Sequence, residues 1–245
     1  MTSARKRQHG SAFFIILIAI MMFGMLSYAV SQGSRSGASS LNKEQLQIAA
    51  QEISDFGNTF AKSVQTLRLR GCTAEQISFE SMPVAGNENP VSPSDGSCDV
   101  FSLAGGKATY TPPSSNWLNT ADMGKDGYQE WFFTNRTCIP GVGTGGASCG
   151  NASEMEIIMV LPWVRQDLCD AYNKYVGWRN YETDPIPGEA GTAYNYGEKV
   201  DGVFQNGSNI NTWDNMMNAD RTLCFRGAGS EPDGGYHIYF VLLAR

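Results

Sequence analysis

Six cysteines carry most of the chemistry in this chain: Cys72, Cys98, Cys138, Cys149, Cys169 and Cys224. None forms a C-x-x-C pair with another, so neither a zinc ribbon nor a thioredoxin-type redox centre is encoded. All six lie beyond an apolar segment near the amino terminus. An even number of cysteines placed after an export-type segment reads as three disulfides in an oxidising compartment. Several connectivities are open to six cysteines; the reading adopted pairs neighbours, Cys72–Cys98, Cys138–Cys149 and Cys169–Cys224. The Gly-rich connection "IPGVGTGGAS" suits a tight local bond between Cys138 and Cys149.

Other reactive groups are sparse. Beyond the first ten residues the chain holds one histidine, His237, inside "GYHIYFVLLAR". A strand histidine among tyrosines reads as structural rather than as a catalytic base. No G-x-S-x-G, H-E-x-x-H or P-loop motif is present. One histidine and no paired thiols do not make a transition-metal site, so neither enzyme activity nor a metal is expected. The loop "DGVFQNGSNINTWDN" offers Asp201, Asn206, Asn209 and Asp214 as oxygen ligands for calcium, but without EF-hand spacing; an ordinary polar loop is the plainer reading. Asn135, Asn151 and Asn206 each open an N-x-S/T sequon. The tryptophans Trp117, Trp131, Trp163, Trp178 and Trp213 could line a carbohydrate groove, yet in a β-rich domain such residues more often fill the core.

Composition narrows the class. Of 245 residues only 17% are charged, while Gly is abundant, as in a loop-rich exported domain. The net charge is −6. Removing the first ten residues takes away Arg5, Lys6 and Arg7 and no acid, so the body is more acidic still. A broad basic surface for nucleic acid is excluded, although a small basic patch is not.

These residues need elements to position them. Ala12 to Val30 runs without a charge, about 28 Å as a helix, close to the hydrocarbon thickness of a bilayer. The basic residues ahead of it place the amino terminus on the cytoplasmic side. "SQGSRSGASS" follows, where Gly33 and Gly37 are expected to break or weaken a helix. In the next stretch Leu46, Ala49, Ile53, Phe56, Phe60, Val64 and Leu67 recur every three or four residues, which predicts an amphipathic helix ending near Arg70 and Gly71. Strands are predicted in "GKATYTPP", "YQEWFFTNRT", "EMEIIMVLPW" and "GYHIYFVLLAR". A short helix is predicted from the spacing of Val164, Leu168, Tyr172 and Val176. Tyr181 to Asn218 reads mostly as loop.

The first seventy residues resemble a type IV prepilin: a short basic leader ending in glycine, an apolar helix, then an amphipathic half under a globular head. The leader would be Met1–Gly10, cut between Gly10 and Ser11. Residues 11–70 would form the helix, with 12–30 in the membrane, and 71–245 the extracytoplasmic head. The resemblance implies an α+β fold, in which a long N-terminal helix packs on a disulfide-bonded antiparallel sheet. It also implies cleavage and N-methylation by a prepilin peptidase. The subunit would be stored in the bacterial inner membrane. It would then polymerise with other pilin-like subunits, through the N-terminal helix, into an extracellular or periplasmic filament. Twitching, adhesion, DNA uptake and type II secretion all use such fibres.

One position departs from the family. The usual fifth mature residue is Glu, and here it is Ile15. In a filament that carboxylate pairs, within an apolar core, with the terminal amine of the subunit ahead. An abundant subunit needs this pair, because an unpaired buried charge costs several kcal/mol. A subunit with nothing ahead of it does not, which implies a minor or tip subunit. Two rival readings stand beside the prepilin. One is a secretory signal peptide cut after Ala29, with Ser27 and Ala29 as the small residues, releasing a disulfide-bonded binding domain. The other is an uncleaved single-span anchor.

Overall fold

The computed structural model describes residues 11–80, 86–144, 151–188, 199–205, 208–209, 219–227 and 234–245, without the side chains of 11–15, 26–42 and 208–209. The chain divides into two compact units, Met1–Gln45 and Leu46–Arg245. The leader, including Gly10, lies outside the described residues.

The first unit contains the start of α1 (Ser11–Leu69). No proline interrupts this span, and the helix runs through Gly33 and Gly37, where a break or a weakening was expected. Two isolated glycines weaken a helix by about 1 kcal/mol each without the steric block a proline imposes. Among the described residues no helix is long and apolar enough to cross a membrane. The described side chains of the expected span run only from Ile16 to Met25.

The second unit is α+β. Its antiparallel strands are β1 (Phe132–Cys138), β2 (Glu156–Val164), β4 (Thr222–Arg226) and β5 (Tyr236–Leu243). A two-residue β3 (Ser208–Asn209) pairs parallel with β1, giving the order β3-β1-β2-β5-β4. Every residue of β2 is buried, which is why it reads as a continuous apolar run rather than an alternating one. Its side chains still alternate between two cores. Ile157, Met159 and Leu161 join Phe133, Ile238 and Phe240 on one face, packed against Ala50, Ile53, Phe60, Val64 and Leu67 of α1. Ile158 and Val160 join Phe132, Leu223, Phe225, Tyr239 and Val241 on the other, with Trp178, Ile139 and Val142.

α2 (Gln166–Val176) occupies the predicted short helix, except that Val164 belongs to β2. It stops at Gly177, whose left-handed φ of 73° turns its N–H back to Asn173 and Lys174. Two strand expectations need correction. "GKATYTPP" forms no strand: Pro112 and Pro113 cannot donate to a ladder, Lys107 takes a left-handed φ of 57°, and the stretch is irregular, with Tyr110 edge-on to Phe101 at 5.6 Å between ring centroids. Conversely, β4 was not anticipated from "RTLCFR", which is too short to show a period. The described parts of the 181–218 region, 181–188 and 199–205, are irregular as expected, with β3 the exception.

Candidate functional site

α1 is the element on which the anchoring and assembly expectations rest. In its first unit Ile16, Ile20, Met21, Met22, Phe23 and Met25 are all more than half exposed, and Leu17 and Ile18 are 40% and 44% exposed. These positions cover every face of the helix, because successive residues advance by about 100°. A helix that is apolar all round is ordinarily a buried one. Ser11 is the first residue of α1.

In the second unit α1 forms the spine of the head. Phe60 packs edge-on to Phe133, Trp131 and Phe101, with ring centroids 5.9, 6.4 and 5.6 Å apart. Phe79 stacks on Phe133 at 4.3 Å. The helix ends where Gly71 takes a φ of 100° and the Cys72 N–H reaches back to the Leu67 carbonyl at 3.2 Å. Arg68 donates to the Cys72 carbonyl at 2.7 Å, and Arg70 to that of Gly105 at 2.7 Å. The last turn is thereby tied to the loop it enters.

Two of the expected disulfides are present. Cys72–Cys98 closes the loop after α1, with Cα atoms 5.8 Å apart. Cys169–Cys224 joins α2 to β4, with Cα atoms 5.4 Å apart. Asn173 reinforces that second joint: its Nδ2 donates to the Cys224 and Pro185 carbonyls, each at 2.8 Å, and its Oδ1 accepts from the Cys224 N–H at 2.7 Å. Among the described residues no cysteine is free, Cys138 included; Cys149 lies outside them.

The residues singled out for other chemistry do not converge. His237 is fully buried in β5, its ring 5.1 Å from that of Trp163 and 5.6 Å from that of Phe225. Trp117, Trp131, Trp163 and Trp178 are core residues, at most 7% exposed, and Trp213 lies outside the described residues. Trp163 holds a left-handed φ of 61°, fixed by its indole N–H on the Asp126 carbonyl at 2.7 Å and by Lys125 4.4 Å above its ring. Of the calcium candidates, Asp201 forms an ion pair with Arg136. Asn206 and Asp214 lie outside the described residues, as does the side chain of Asn209. Among the described residues no group of acidic, histidine or cysteine side chains could hold a metal. Asn135 is fully buried, so its sequon cannot be glycosylated in the folded head, whereas Asn151 is exposed.

Glu156 was not anticipated. It opens β2 fully buried, with Oε2 accepting the Ile139 N–H at 2.9 Å. Burial pushes its carboxyl up to about 8, against the opposing pull of that hydrogen bond and of Arg245. The signal was an acid at the head of the apolar run "EIIMVLPWV", where an alternating strand would have turned it to solvent.

Comparison with known protein families, with curated proteins and with solved structures finds no match.

Proposed function

We propose that this chain is a structural, non-catalytic subunit of a type IV pilus-like filament or a type II secretion pseudopilus. It is first anchored in the bacterial inner membrane by α1 and then held in the fibre by the same helix. One observation carries the reading: a single helix bears exposed apolar side chains on every face from Ile16 to Met25, and further on supplies the core of a disulfide-stapled α+β head. The described apolar stretch is about 15 Å long, half a bilayer core. The sequence continues uncharged from Ala12 to Ile15 before it and from Leu26 to Val30 after it. α1 also runs unbroken through Ala29 and Val30, where a signal peptidase would cut. The amphipathic half that follows, packed into the core through Ile53, Phe60, Val64 and Leu67, favours the prepilin over the released domain.

Ile15, in place of the family's glutamate, makes the chain a minor or tip subunit. Intact mass and N-terminal sequencing of the purified protein test the reading. A start at methylated Ser11 is expected. A start at Val30 replaces it with a secreted domain, and a start at Met1 with a plain anchor.

A further inference from the structure

Glu156 and Arg245 each keep one buried polar atom unused. Oε2 of Glu156 holds the Ile139 N–H, but Oε1 has no hydrogen-bond partner among the described residues. Arg245 is its complement: Nη2 lies 3.4 Å from Glu75 Oε1, while Nη1 is buried and likewise without a partner. The Arg245 guanidinium sits 3.7 Å from the ring centroid of Phe204. Phe204 in turn packs against Met155 and Cys138, the chain neighbours of Glu156 and of its cross-strand partner Thr137. A carboxyl and a guanidinium with hydrogen-bonding capacity to spare therefore lie close about one aromatic side chain, and Arg245 acts electrostatically on Glu156. The other groups facing Glu156 are Glu154, ahead of β2, and Tyr239 of β5. Glu154 repels added negative charge, and burial keeps the Tyr239 hydroxyl neutral, so neither can compensate an ionised Glu156.

The charge on Glu156 decides which carboxylate Arg245 serves. Burial raises the Glu156 carboxyl to about 8, and below that it carries no charge. Arg245 then has Glu75, whose carboxyl a backbone hydrogen bond, Thr73 and Arg245 itself hold below the usual range. That pair is long and its acid 43% exposed, so it contributes little. An ionised Glu156 left alone would be a buried charge without a counter-ion, a far larger cost than the Glu75 pair repays. We propose that Arg245 is a proton-controlled latch, bound to Glu75 while Glu156 is protonated and turned onto Glu156 when it ionises, through the two atoms now unused. The exchange joins two distant places. Residues 139–144 are held at Ile139 by Glu156 and at Thr144 by the Arg245 carbonyl, and Glu75 lies in the loop that leaves α1. Ionisation therefore unties that loop from the chain beyond β5. None of this depends on the filament reading.

Double-mutant cycles on the full chain, unfolded by denaturant in detergent, read the exchange. Arg245→Gln is paired with Glu156→Gln and with Glu75→Gln, at about pH 6 and about pH 9.5, either side of the Glu156 titration. The Glu156–Arg245 coupling is expected to rise from none to at least about tenfold in the folding constant. The Glu75–Arg245 coupling, about twofold at the lower pH, should disappear at the higher one and persist there in a Glu156→Gln background. Equal Glu156–Arg245 coupling at both values, or an undiminished Glu75–Arg245 coupling at the higher pH, overturns the latch. The unsubstituted chain supplies a second measurement, independent of whether the variants fold. Its Arg245 side-chain nitrogen resonances should shift in step with the Glu156 titration, and resonances that stay fixed across it overturn the latch as well.

Discussion

Gly57 of α1 lies against the ring of Phe240 on β5: a Cβ at position 57 would come within 2.3 Å of that ring's Cδ1. The helix therefore comes closest to this strand at a position that has no side chain. Elsewhere in a helix, Gly to Ala stabilises by about 1 kcal/mol. Here the sign reverses. Gly57→Ala is expected to destabilise the head by about 1–3 kcal/mol through overpacking, measured by denaturant unfolding. Adding Phe240→Leu should recover part of the loss in a double-mutant cycle. A stabilised Gly57→Ala variant would refute the close approach.

Glu156 gives the head a pH dependence of definite sign. Its folded carboxyl titrates at about 8, against an ordinary value of 4.5, because burial disfavours the charged form. The folded state then holds a proton that the unfolded state releases, so stability is greatest below the ordinary value and falls as pH rises to about 8. The loss is on the order of 2–4 kcal/mol. Glu156→Gln keeps an acceptor for the Ile139 N–H and removes the titration. Between pH 5 and 8 its stability should decline less than the parent's, the residual fall at the acid end coming from Asp99, whose carboxyl burial raises to about 6. Parallel profiles for the two proteins would remove Glu156 as the cause.

The contrast between α1 and Glu156 shows what is legible in a sequence. Ile53, Phe60, Val64 and Leu67 announce their helix face because burial on one side imposes a period of 3.6. β2 and β5 announce themselves by apolar richness, although burial on both faces hides which residue joins which core. Glu156 gives no periodic signal, only its place at the head of an apolar run, since its burial depends on strands and loops distant in sequence. "GKATYTPP" misleads in the opposite direction, its β-branched and aromatic content outweighing, on composition, two prolines that forbid a ladder.

The disulfides should act as staples of unequal reach. Cys169–Cys224 closes a separation of 55 residues and Cys72–Cys98 one of 26. Replacing either pair with alanine is expected to cost about 2–4 kcal/mol, slightly more for the longer loop. Asn173→Ala should loosen the same α2–β4 joint while leaving Cys169–Cys224 intact, seen as faster hydrogen exchange in β4. Non-reducing peptide mapping should find three bonds, with Cys138–Cys149 among them. Alkylation of Cys138 in native protein would contradict that set.

Processing offers a direct handle on the amino terminus. On the proposed prepilin reading Gly10 is the cleavage glycine, and a branched side chain there would not fit a peptidase site that selects glycine. Gly10→Val should therefore accumulate as a full-length precursor that co-sediments with membranes. Normal maturation of that variant would assign the leader elsewhere.

The missing glutamate turns on what an apolar fibre core does to a charge. Ile15 cannot neutralise the amine of a neighbouring subunit. A stack made only of this chain would bury one uncompensated amine per subunit, or force it to give up its proton. Either outcome penalises each addition by several kcal/mol, the usual scale for an unpaired buried charge. At a tip the penalty vanishes, because a following subunit that carries the glutamate pairs with the amine of Ser11. The chain is accordingly expected in few copies per fibre, unable to build filaments by itself, and its deletion should lower the number of fibres rather than their length. Ile15→Glu should raise its copy number within the shaft. Quantitative mass spectrometry of sheared filaments measures both. Recovery of the unmodified chain as the dominant subunit would refute the tip role and leave the helix-and-sheet fold untouched.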